Sequence, residues 1–138
     1  MTHNIKPYNY ARKKIIECRT TDTITSVAKL FHEEGVGSAL VKDQSGKHAG
    51  LITDSTLFKA IANGVNVTQI KVEDLKLEEL VVVSKDADLA EVLEKFNKTQ
   101  VRRIAMADSS GKIVAVLKKN LLDRFMLFEA GPQITKKS

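Results

Sequence analysis

The chain has 138 residues, 43% hydrophobic and 28% charged, with a net charge of +5. This composition excludes a disordered or fibrous chain and is that of one compact globular domain. A single cysteine, Cys18, excludes an internal disulfide, and His3, His32 and His48 have no metal-ligand spacing.

The basic start MTHNIKPYNYARKK lacks an apolar signal core, and apolar runs such as Leu80 to Val83 are far too short to span a bilayer. A soluble, cytoplasmic protein with no membrane partner is expected. Ile15 to Cys18 reads as a short strand. Thr23 is a good helix cap, and Ile24, Val27, Ala28, Leu30 and Phe31 recur at helical period up to Gly35. Gly37 to Val41 and His48 to Ile52 read as a hairpin around the turn Asp43 to Lys47, followed by a helix over about 54–62. The connector 65–79 is polar with scattered apolar residues. Leu80 to Val83 is the next strand, and Asp88 with Glu91 makes a capping-box-like helix start. Leu89, Val92, Leu93 and Phe96 form that helix's buried face. Arg103 to Ala107 and Ile113 to Leu117 make a second hairpin, and a final helix is expected over about 120–128.

The order is stated twice. Phe31 and Phe96, Val36 and Val101, Asp43 and Asp108, Gly46 and Gly111, and Lys47 and Lys112 are each 65 positions apart. A repeat of this kind is a supersecondary unit that does not bury its apolar face alone. Two halves of one core are therefore expected. The basic balance favours anionic partners in general. Arg12-Lys13-Lys14, Lys118-Lys119 and Lys136-Lys137 carry much of it, but aromatics are only 5% and Trp is absent. A nucleic-acid surface usually has a denser basic stripe with stacking aromatics, so nucleic-acid binding ranks below small-anion binding.

The phrase Gly35-Val36-Gly37-Ser38-Ala39-Leu40-Val41-Lys42-Asp43, then Gly50-Leu51-Ile52-Thr53-Asp54-Ser55-Thr56-Leu57, resembles a cystathionine-β-synthase (CBS) domain. Val101 to Asp108 resembles the same phrase in a second one. Over residues 11–127 the chain is thus similar to a stand-alone CBS pair, or Bateman module. The resemblance implies an α+β fold of tandem β-α-β-β-α repeats packed with pseudo-two-fold symmetry. The first repeat would span 11–66 and the second 67–128, with a disordered tail over 129–138. It also implies two clefts between the repeats, each suited to an adenosine derivative such as AMP, ADP, ATP or S-adenosylmethionine.

The family's ligand motif is Gly, two apolar residues, Thr or Ser, two variable residues, then Asp. The hydroxyl sits at a helix N-terminus, where N–H groups and the dipole favour phosphate, and the Asp accepts from ribose. In the first repeat Gly50, Leu51, Ile52 and Thr53 match, Asp54 follows, and Thr56 replaces the Asp. Thr53 is equally a plain helix cap. In the second repeat Lys118 takes the hydroxyl position and Leu121 the acid position, with Asn120 one place away. Arg103 occupies a place from which the family reaches phosphate; Ser38 is its counterpart in the first repeat. By the same match, the first motif faces Val81, Val101 and Arg102, and the second faces Ile16, Val36 and Gly37. These apolar residues are core in any case, and Arg102, Arg103 and Lys118 also read as exposed strand-end charges.

The resulting expectation is a non-catalytic regulatory module, homodimeric through its helices, with an adenosyl ligand and a protein partner that it regulates. It has no catalytic cofactor, nucleophile elbow or Walker-type loop. A CBS pair that mediates protein association without nucleotide is the alternative from another class, supported by the missing Asp in both repeats. A nucleic-acid-binding accessory protein is the second.

Overall fold

The computed structural model describes residues 5–123. The described residues divide into two compact units, one of residues 16–80 and one of residues 5–15 with 81–123.

The 16–80 unit contains β1 (Glu17–Arg19), α1 (Ile24–Glu34), β2 (Ser38–Lys42), β3 (His48–Thr53) and α2 (Asp54–Ala62). Its sheet has the order β1-β2-β3, with β1 parallel to β2 and β2 antiparallel to β3. A parallel pair needs a crossover, and α1 supplies it. The α1 helix starts where the Thr23 hydroxyl accepts from Ser26 N at 3.2 Å and ends at Gly35, whose φ of 67° is the left-handed cap conformation.

The other unit repeats this with β4 (Val82–Ser84), α3 (Leu89–Thr99), β5 (Arg103–Ala107) and β6 (Ile113–Lys118), in the order β4-β5-β6. A helix opens at 119 and runs to 123, the last described residue. The rest of the expected final helix and the expected disordered tail lie outside the described residues. Asp88 caps α3 by accepting from Glu91 N at 2.8 Å. At the C-terminus of α3, Gln100 takes a φ of 63° at the position equivalent to Gly35.

Two hairpin turns are near copies. Asp43 Oδ1 accepts from Ser45 N (2.9 Å), Ser45 Oγ (2.6 Å) and Lys47 N (3.0 Å), and Asp108 accepts from Ser110 and Lys112 at the same distances. These bonds, that from the serine hydroxyl first, hold both carboxyl groups below the usual range.

The buried apolar residues fall in two clusters, one within each unit. Cys18, Ile24, Val27, Phe31, Ala39, Val41, Ile52 and Leu57 form the first; Val83, Leu89, Val92, Phe96, Ile104, Met106, Leu117 and Leu122, each 65 residues later, lie in the second. Each cluster closes because a helix lays its apolar stripe on one face of its own sheet. The connector also does more than its polarity implies. It makes a 3-10 turn at Val72–Asp74, buries Val72 completely, and packs Ile70, Leu75 and Leu77 against the first cluster.

Each sheet also gains a short edge strap. Leu51 and Glu78 exchange two backbone hydrogen bonds of 3.0 Å, while Arg12 and Val116 exchange two of 2.9 and 3.0 Å. Leu51 and Val116 are equivalent positions, so Glu78 and Arg12 occupy equivalent places in the two units. Each strap precedes, along the chain, the first strand of the other sheet.

Candidate functional site

At the C-terminal end of β3, Ser38 and Thr53 are direct cross-strand partners, and they are buried polar residues, 2% and 0% exposed. Thr53 is also the cap of α2. Its hydroxyl accepts from Thr56 N at 3.4 Å, lies 3.3 Å from the Thr56 hydroxyl, and donates to Glu78 Oε2 at 2.8 Å. The other N–H groups at this terminus are also partnered: Asp54 N donates to the Gly37 carbonyl at 2.9 Å and Ser55 N to Asp54 Oδ1 at 2.8 Å. Ser38, Gly37, Thr53, Asp54 and Thr56 therefore come together. Ile16 and Val36, half-buried, pack on the first apolar cluster.

The motif glycine has a local cause. A Cβ built on Gly50 would lie 2.9 Å from the Glu78 carbonyl oxygen, 3.0 Å from Leu77 Cβ and 3.3 Å from Leu77 Cδ1. Only glycine admits the strap so close to β3. Glu78 is absent from the motif because it arrives from the connector, and only the strap's contact with Gly50 marks it.

In the second unit Arg103 and Lys118 are direct cross-strand partners. Arg102 is exposed, and its carbonyl accepts from Lys119 N at 2.8 Å, as the Gly37 carbonyl does from Asp54 N. Val81 is buried, and its carbonyl accepts from Ala105 N at 2.8 Å; Val101 packs on the second cluster. Arg12 arrives on the strap beside Val116, one pleat from Lys118 on the same sheet face. Burial, then the charge of Arg103, lower its guanidinium pKa. The same structural end is thus acidic in one unit, with Glu78 and Asp54, and basic in the other, with Arg12, Arg103 and Lys118.

Cys18 lies inside the first cluster, where burial, with a smaller effect of Asp22, pushes its thiol up to about 12. It is an inert core residue. No helix among the described residues is long and apolar enough to cross a membrane.

The family model of the CBS domain matches twice, over residues 8–63 and 72–123. The chain belongs to the CBS domain family. Its two repeats place it among CBS pairs, and the solved structures that resemble it agree. An uncharacterized conserved protein from Pyrococcus horikoshii superposes with a TM-score of 0.72 at 25% identity, covering 90% of this chain and 94% of that one. The CBS domain pair of protein MJ0100, solved in complex with 5′-methylthioadenosine and S-adenosyl-L-methionine, superposes with a TM-score of 0.69 at 18% identity, covering 88% and 99%. Among curated relatives, an uncharacterized protein of Methanopyrus kandleri is 24% identical over 108 residues, 78% of this chain and 55% of the relative. A Methanocaldococcus jannaschii protein is 27% identical over 114 residues, 83% of this chain and 37% of that relative. The chain thus spans about half or less of the length of these two curated relatives.

Proposed function

We propose that this CBS pair is a non-catalytic, cytoplasmic regulatory module that binds adenosine-type ligands: AMP, ADP, ATP or S-adenosylmethionine. The observation that carries the reading is the polar group at the end of β3, where buried Ser38 and Thr53 meet half-buried Thr56 and Glu78 beside the cap of α2. Buried hydroxyls such as those of Ser38 and Thr53 are costly unless they serve packing or recognition, and this is where the family's ligand motif falls. The adenosyl ligands of the MJ0100 pair support the same class. In this reading Thr53, Asp54, Thr56 and Ser38 serve the first site. Arg103 and Lys118 bring positive charge to the second, and Val81, Val101, Arg102, Ile16, Val36 and Gly37 supply the remaining apolar, charged or backbone walls. The exposed residues Phe58 and Ile61, three positions apart on α2, are the surface we assign to a homodimer contact.

A second reading, a CBS pair that mediates association without nucleotide, is favoured by the partnered N–H groups at α2 and by Thr56 in place of an acid. Thermal-shift measurements on the intact chain with adenosine, S-adenosylmethionine, AMP and ATP separate the two. Binding at a hundredfold excess over Kd stabilises by about 2.7 kcal/mol, a rise in Tm of roughly 5–10 °C for a chain of this size. No shift with any of the four would leave the association reading.

A further inference from the structure

We infer that Glu78 sets the ligand class of the Thr53 end: it supplies the carboxylate acceptor that Thr56 lacks, and it turns phosphate away. This end then takes adenosyl compounds without a 5′-phosphate, sulfonium cations included. The inference rests on the adenosyl reading above and sharpens it.

Phosphate binds a helix N-terminus through unpartnered N–H groups. At α2 the Asp54, Ser55 and Thr56 N–H groups all have acceptors, in the Gly37 carbonyl, the Asp54 carboxylate and the Thr53 hydroxyl. The Thr53 hydroxyl's own proton is committed to Glu78 at 2.8 Å. An arriving phosphate therefore meets no spare donor among these groups and has two carboxylates, Glu78 and Asp54, beside it. Like charges this close in a partly dehydrated place repel strongly.

A sugar hydroxyl faces the opposite situation. A carboxylate offers about four acceptor positions, and Glu78 gives one to Thr53. Hydroxyl donors to the remainder form charge-assisted bonds, about twice as strong as neutral ones. The two backbone bonds between Leu51 and Glu78 hold the residue in place before a ligand arrives, which limits the ordering cost of binding. The second unit is an internal control for charge: its strap brings Arg12 to the equivalent place, next to the Arg103–Lys118 pair. The same backbone frame thus carries opposite charge at the same point.

The test titrates the intact chain with adenosine and with AMP, following the Thr53 and Thr56 amides by NMR so that binding is read at this end alone. Adenosine is expected to bind at least about tenfold more tightly than AMP there. Glu78→Gln keeps an acceptor for the Thr53 hydroxyl and removes the charge, so it should shrink that ratio about tenfold by tightening AMP. A structural strap residue acting only on folding would not change the ratio. Wild-type AMP binding as tight as adenosine at these amides overturns the inference while leaving adenosyl binding standing, and this arm needs no variant to fold. An unchanged ratio in Glu78→Gln does the same. Perturbation of these amides by neither ligand removes the adenosyl reading, and the inference with it.

Discussion

Gly50→Ala tests the seat of the strap directly. Gly50 does not have a positive φ, so alanine is compatible with the backbone. The cost is steric: the new methyl would sit 2.9 Å from the Glu78 carbonyl and 3.0 Å from Leu77 Cβ, and neither atom is the end of a flexible side chain. The strap must move off β3. That movement breaks the two Leu51–Glu78 backbone bonds, worth about 0.5–1.5 kcal/mol each, and adds packing strain of the size seen when a methylene is forced into a filled site, about 1–3 kcal/mol. Partial relaxation offsets some of this, giving an expected loss of ~2–4 kcal/mol. Urea denaturation followed by circular dichroism measures it, and hydrogen exchange locates it: the Leu51 and Glu78 amides should lose protection well before those of β2. Gly35→Ala is the control. There φ is 67° with nothing within 4 Å of the new Cβ, so the cost is conformational, about 1–2 kcal/mol, and the strap is untouched. If Gly50→Ala costs less than about 0.5 kcal/mol, or leaves the Leu51 and Glu78 amides protected, the account of Gly50 as a strap seat is wrong.

Two further outcomes follow from charge. Asp43 and Asp108 have folded-state pKa values below their unfolded ones, so their contribution is present above the unfolded value near 4 and fades as pH falls through the lowered folded value. The doubly substituted Asp43→Asn, Asp108→Asn chain should lose stability less steeply than wild type below about pH 4 in acid-unfolding curves; parallel curves would show that these turns contribute no acid sensitivity. Arg103→Ala with Lys118→Ala should remove roughly ten- to a hundredfold of any preference for ATP over AMP, because charged hydrogen bonds are worth about 1.5–3 kcal/mol. Adenosine binding at the Thr53 end should be spared, and salt should erode the wild-type preference in the same direction; calorimetry in which both ends lose ligand equally would refute this division.

The sequence by itself determined the elements and their duplication, because both are written locally. Thr23 and Asp88 cap helices through their own side chains, Asp43-to-Lys47 and Asp108-to-Lys112 close their turns with bonds to near neighbours, and the apolar residues spaced by 65 recur as matching cores. Thr53 at a sheet end was readable from the apolar run before it and its capping chemistry, but its pairing with Ser38, like that of Lys118 with Arg103, was not, because a bulge between Val41 and Lys42, and another between Met106 and Ala107, shifts each hairpin's register by one residue. Strand ends moved by only one or two residues, as where Glu17–Arg19 replaces the expected Ile15 to Cys18.

Tertiary structure decided what completes each end. Glu78 and Arg12 lie outside the repeating phrases, and a residue's charge carries no record of which distant strand edge it will meet. Only the pairing of Glu78 with Leu51, and of Arg12 with Val116, brings them there. The connector's role was hidden likewise. Val72, Ile70 and Leu77 are too irregularly spaced to show a helix or strand period, yet Val72 is buried in the first cluster and Ile70 and Leu77, half-buried, pack against it. The acidic end and the basic end are thus made by chain segments that periodicity does not mark, placed by backbone pairing between residues far apart in sequence.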